Sequence, residues 1–171
     1  MSLLYFDASI QEFEKKKDFV AAINYLEKMF YEKKEVKILI SLVAYSWYYF
    51  IEGGFLKKNI SGDELDFLSN SWEKFLILGK EIMADDLEFC LIAGFITKLH
   101  GFCIDIFNYE EQGLLMLQNS VQKSKDPNII VLANYFISHE KSKNFDEISK
   151  SMFPSESLVD EYFKSILTTI I

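Results

Sequence analysis

The sequence predicts an all-α protein: a two-layer stack of antiparallel helical hairpins, tetratricopeptide-like or α-solenoid, with about eight to nine helices in a single domain over residues 1–171. Three observations predict it. Half of the 171 residues are hydrophobic, enough for a sizeable core and too many for a disordered chain. Only 7 Gly and 2 Pro interrupt the chain, too few for the many turns of a β fold. Apolar residues recur at steps of three and four, the spacing of one face of a helix.

The elements follow in order. A first helix covers about 3 to 16 and ends in Lys15, Lys16 and Lys17, cations suited to the negative end of a helix dipole. A second begins after Asp18, with Phe19, Ala22, Ile23, Leu26 and Phe30 on one face. The third runs from about 35 to 52 and is expected to stop at Gly53-Gly54. Ser61 and Glu64 have the capping-box spacing and open a fourth, faced by Leu65, Leu68, Trp72, Phe75 and Ile82. Asp85 and Glu88 repeat that spacing for a fifth, which extends to about 104. Asn108 and Glu111 open the sixth, and Asp126-Pro127 the seventh, with Pro where its missing N–H costs nothing. Asn144 and Glu147 cap a short eighth. After Pro154, a last helix presents Leu158, Val159, Tyr162, Phe163, Ile166, Leu167 and Ile170.

The helices at 35–52, 87–104 and 128–138 are apolar almost all round, and those after them are amphipathic. A helix apolar on every side has to be covered on every side. Such alternation fits stacked hairpins, each burying its face on the next. Weak internal echoes agree with it: Leu91 to Thr97 aligns with Val131 to Ile137, and Asn108 to Glu111 with Asn144 to Glu147. The stretch from Lys17 to Lys28 resembles the second helix of a tetratricopeptide repeat, with Phe19, Ala22, Leu26 and Met29 in the motif places. After Tyr109 the small residue, Gly113, comes one position late; after Phe145 the place holds bulky Ile148.

Charge narrows the function. The net charge is -8 and the pI about 4.8, so phosphates would be repelled and no nucleic-acid partner is expected. An acidic surface suits a basic protein instead. All 18 cations are Lys, so the bidentate guanidinium clamps common at phosphate and carboxylate sites are lacking. The N-terminus lacks the pattern of a signal peptide. The longest apolar run, Ile38 to Ile51, spans 14 residues, short for a bilayer and better explained as a buried helix. A cytoplasmic protein without membrane attachment is the expectation.

No catalytic, metal or cofactor constellation emerges. His100 and His139 belong to no zinc motif, and Cys90 and Cys103 form no CxxC pair. His100 and Cys103 lie three residues apart, close enough to share a helix face, so a thiolate–imidazole pair is formally possible; a core Cys beside a hydrogen-bonded His is the simpler expectation. No phosphate-cradling glycine loop or GxSxG elbow is present. Acidic pairs such as Asp85-Asp86 and Glu110-Glu111 are explained by the dipole at helix starts.

Two features point to a binding face. In an antiparallel stack, alternate helices start at the same end. Asp63, Glu64 and Asp66, then Glu110 and Glu111, then Asp146 and Glu147, would gather at one end as an acidic rim. Asp85, Asp86, Glu88 and Asp126 would gather at the other. The second feature is Trp47-Tyr48-Tyr49-Phe50, four successive aromatics that point around the helix. A half-buried helix would leave one of them exposed, which makes Tyr48 or Tyr49 a candidate contact, although the apolar segment also suits a core.

In size, acidity, lack of Arg, aromatic content and lack of a catalytic motif, the chain resembles the small helical immunity proteins of bacterial polymorphic-toxin and contact-dependent growth inhibition systems. The resemblance implies stoichiometric neutralisation of one protein partner, a basic toxin domain of nuclease type, with the acidic face over the toxin's nucleic-acid site. The alternative is a tetratricopeptide-type adaptor or chaperone cradling a peptide, for which Asn134 and Tyr135 are candidates.

Overall fold

The computed structural model of the chain describes residues 2–168. Among these residues there are nine α-helices, one 3-10 turn and no strand. The helices are α1 (Ala8–Lys16), α2 (Phe19–Lys33), α3 (Val36–Leu56), α4 (Gly62–Ile82), α5 (Leu87–His100), α6 (Tyr109–Lys123), α7 (Pro127–Ser138), α8 (Phe145–Met152) and α9 (Leu158–Thr168). The 3-10 turn, Gly101–Ile104, follows α5. Ile170, expected on the face of the last helix, lies outside the described residues.

Most expected starts and stops are present, and the departures have local causes. The first helix begins at Ala8, five residues later than expected, because Asp7 caps it: its carboxylate accepts from the amides of Ser9 and Ile10 at 2.9 and 3.0 Å. The segment before it is buried without being helical, and the Leu3 amide donates to the Met152 carbonyl at 2.9 Å. Gly53-Gly54 does not end the third helix; α3 runs on to Leu56. Gly53 is pressed against Ile60 and Leu65, so its missing side chain makes room for the turn into α4. Asp86, not Asp85, caps α5 by accepting from the Phe89 amide at 2.8 Å. The same helix tightens into the 3-10 turn after His100. Asn108 and Asn144 hold the N-cap positions of α6 and α8 but make no side-chain cap bond. The capping box of Ser61 and Glu64 and the Asp126-Pro127 start of α7 are as expected.

Packing is built around α3, whose Trp47, Tyr45 and Tyr49 are fully buried. On one side Phe19 of α2 stacks on Tyr49 with ring centroids 4.4 Å apart. On another, Phe50 meets Trp72 of α4 at 6.1 Å. Trp47 meets Phe95 and His100 of α5, at 6.3 and 5.7 Å. α5 and α6 run antiparallel in close contact: Ser120 Oγ donates to the Leu87 carbonyl at 3.0 Å, and Gly94 faces Gly113 further along. A side chain on Gly113 would strike backbone, 2.6 Å from the Gly94 carbonyl oxygen. Gly113 therefore has a packing role, although it stands one position late for the repeat motif.

The last helix returns to the first half of the chain. Tyr162 and Phe163 of α9 lie 5.7 and 5.8 Å from the Trp47 ring, and Phe163 stacks on Phe153 at 4.7 Å. Leu158 N donates to Glu14 of α1, 144 positions away in sequence, at 3.0 Å. An open solenoid makes contacts only between successive repeats; this chain closes on itself. Two segments, Val36–Leu56 and Leu87–Ile104, are long and apolar enough to cross a membrane, but 72% and 56% of their most apolar windows is buried inside the fold. α3 exceeds the 14-residue apolar run, extending two residues before it and five beyond.

Candidate interaction face

The acidic starts of α6 and α8 lie at the same end of the fold, and that of α4 lies beside the end of α3. Glu64, at the start of α4, pairs with Lys57 at the end of α3. Glu110 and Glu111 begin α6, next to the 3-10 turn that ends α5. Lys98 near the end of α5 donates to the Phe136 carbonyl at the end of α7, at 2.8 Å. Tyr135 and Phe145, with centroids 4.4 Å apart, join that end of α7 to the start of α8, where Asp146 and Glu147 lie. The middle of α3 meets the end of α5 through Trp47 Nε1, which donates to His100 Nδ1 at 3.2 Å.

The individual carboxylates differ. Asp63, Asp66, Glu110, Glu111, Asp146 and Glu147 are exposed. Glu64 is half-buried and already engaged: the Lys57 ammonium beside it, together with the Ser61 amide, holds its carboxyl below the usual range. Charge at Glu64 is therefore largely neutralised within the fold. Burial, and then the like charges of Asp86 and Asp126, push the Glu88 carboxyl up.

Tyr48 and Tyr49 require a correction. Tyr49 is 0% exposed, stacked on Phe19, and its hydroxyl donates to Glu14 Oε1 at 2.8 Å. Tyr48 is buried against Tyr162 at 4.8 Å. With α9 returning over α3, the helix is covered on the sides that its sequence leaves open, and neither ring reaches the surface. Tyr135, a candidate for a peptide groove, is likewise buried, with its hydroxyl donating to the Ile166 carbonyl at 3.3 Å; Asn134 is exposed.

The exposed aromatics lie elsewhere: Tyr31, late in α2, is 54% exposed, and three phenylalanines lie at or just past the ends of α3 and α5. Phe55, in the last turn of α3, is 90% exposed. Phe102 and Phe107, on the corner between α5 and α6, are 55% and 81% exposed. Two non-glycine residues on this corner, Asp105 and Asn108, adopt left-handed backbone angles with φ of 53° and 51°. Such conformations are costly for residues with a side chain, least so for Asp and Asn. One signal in the sequence marks this corner: apolar residues from Phe102 to Phe107 stop following helical spacing, just where Asp105 and Asn108 tolerate a left-handed turn.

His100 and the two cysteines are packed against the core. His100 is held by Trp47, and burial keeps its imidazole below the usual pKa. Burial pushes the Cys103 and Cys90 thiols up, opposite to the shift that activates a thiolate. Among the described residues, no group of three or more His, Cys, Asp or Glu is arranged to hold a metal ion. A wide surface hollow of about 660 Å³ lies between α7 and α8 and is lined by Asn128, Val131, Asn144, Glu147 and Ile148 among others.

Comparison of the chain with protein-family models, curated proteins and solved structures found no match.

Proposed function

We propose that the protein is a binding module of the immunity type, which neutralises a basic toxin domain of nuclease class by stoichiometric association in the cytoplasm. What carries this reading is the set of exposed carboxylates at the starts of α4, α6 and α8 of an acidic chain, those of α6 and α8 at the same end of the fold. Each pair is explained by its own helix dipole. Their sum makes a field that attracts a cationic protein and speeds its encounter. An acidic surface over a nuclease's substrate site would compete directly with the phosphate backbone. We further propose that the helices form a tetratricopeptide-like series of antiparallel hairpins, closed by α9. The antiparallel contact of α5 with α6, the sequential contacts along the chain and the small residues at that contact support this arrangement.

The test is affinity capture from the native host with the full chain as bait. One basic partner in equimolar amount is expected, released steeply by salt. Recovery of no partner, or of acidic ones only, would overturn the reading. The hollow between α7 and α8 favours one alternative, an adaptor that cradles an extended peptide. In that case a short segment of the partner would bind alone, and the Asn144→Ala variant would weaken it while substitutions in the acidic starts of α4 and α6 would not.

A further inference from the structure

We infer that the corner between α5 and α6 is the apolar centre of an interaction surface, with Phe102 and Phe107 as its anchors and a cationic, amphipathic surface of a partner protein as its occupant. The inference rests on the reading of the chain as a binder of a basic protein and deepens it by naming the contact.

Both rings are exposed although the fold has a large apolar core to receive them. A single exposed apolar residue needs no explanation; two exposed rings on one short corner do. Phe102 is not loose. Its ring lies 5.6 Å from Tyr109 and 6.1 Å from His100, so its orientation is set before a partner arrives. The chain beyond it is shaped by the left-handed angles at Asp105 and Asn108, and Gln112 Nε2 donates to the Phe107 carbonyl at 2.6 Å. Gly101 fits directly under Tyr109, where a side chain would collide with its Cβ. A rigid aromatic presented at small entropic cost is what a binding anchor requires.

The charges select the occupant. Between Leu99 and Gln112 the chain carries Asp105, Glu110 and Glu111 and no lysine. All three are exposed. His100 is held neutral by burial, and the adjacent Lys98 is committed to the carbonyls of Phe136 and Ile137, at 2.8 and 3.4 Å. A second lysine, Lys80, donates to Gln112 Oε1 at 2.6 Å, and like Lys98 it is half-buried and engaged, so the exposed charges beside the rings are the three carboxylates. A second copy of this acidic chain would bring like charges together, and an anionic lipid surface would do the same. A protein surface with apolar side chains between lysines or arginines satisfies both the rings and the carboxylates.

The experiment uses the full chain and a defined probe, a synthetic amphipathic helix of Lys and Leu. Its controls are a Lys–Ser peptide of equal charge and a Glu–Leu peptide of equal apolarity. Backbone amide shifts are followed during titration. The Lys–Leu peptide is expected to perturb residues 99–112 first and to bind more tightly than either control. Phe102→Ser with Phe107→Ser should weaken it at least about tenfold, as should Glu110→Lys with Glu111→Lys. Thermal unfolding of each variant shows whether it is folded, and exposed sites make that the expected result. The inference is overturned if the peptide binds elsewhere, if the double Phe variant binds unchanged, or if the wild-type chain dimerises through these rings. The partner captured from the host separates the two claims. Equal capture by wild type and the double Phe variant overturns this surface while leaving the immunity reading intact; absence of any basic partner overturns the reading itself.

Discussion

Gly113 lies where α5 and α6 come closest, and a methyl group there meets the backbone of Gly94 and Lys98, which cannot yield as a side-chain tip can. Gly113→Ala is expected to destabilise the fold by about 1–3 kcal/mol, measured by urea unfolding. Gly54 is the opposite case. It sits inside α3 with an ordinary backbone angle, and a Cβ added to it would meet nothing within 4 Å. Gly54→Ala should stabilise by roughly 0.5–1 kcal/mol, by helix propensity alone. In sequence, Gly53-Gly54 reads as a stop because glycine is common beyond a helix end. The sequence does not reveal that Ile60 folds back onto Gly53 and fixes the turn beyond Leu56. The same limit applies to Tyr48 and Tyr49: their spacing on α3 is legible, but the helix that covers Tyr48 lies more than a hundred positions along the chain.

At the scale of elements, local chemistry is legible in the sequence and geometry between elements is less so. The starts of α2, α4 and α7 can be read because Asp18, Ser61 and Asp126 use their side chains on nearby amides, at contacts that close within a few residues. The start of α5 is displaced by one residue, since Asp85 and Asp86 offer the same chemistry and only the backbone decides between them. This makes a clear test. Asp86→Ala removes the cap bond to Phe89 and should cost about 1 kcal/mol. Asp85→Ala removes only an exposed ion pair with Lys123 and should change stability little. Thermal melts of the two variants measured together decide it. Helix direction can be argued from short connections alone, whereas the exposed rings of Phe102 and Phe107 cannot. They depend on a 3-10 turn and two left-handed residues that interrupt the helical pattern.

Across the whole molecule, the joint between α1, α3 and α9 sets how stability responds to pH. Glu14 is buried beside Asp160, and its carboxylate accepts from Tyr49 and from the Leu158 amide. Burial outweighs those hydrogen bonds and pushes the Glu14 carboxyl up to about 7, from an ordinary 4.5. Between these values the folded chain keeps a proton that the unfolded chain has released. Stability from this group is therefore complete below about 4.5 and declines as pH rises through about 7. Burial pushes the Asp160 carboxyl in the same direction, against its hydrogen bonds from Ser155 and the nearby Lys164 and Lys37. Glu14→Gln keeps a neutral acceptor and should flatten the pH profile, leaving the variant more stable than wild type above pH 7 by on the order of 2 kcal/mol. Denaturant unfolding from pH 5 to 8 measures it; a parallel decline in both proteins would show that the slope arises from the acidic surface.

The return of α9 over Trp47 also has a meaning in time. A ribosome makes about 5–20 residues per second, so Trp47 leaves the exit tunnel on the order of ten seconds before Tyr162 and Phe163 exist to cover it. Until then the nascent chain carries the most apolar helix of the fold with one side uncovered, and the contact between positions 14 and 158 cannot form. Closure thus has to wait for α9, and a chain released short of Leu158 would leave that side open to whatever apolar surface it meets first.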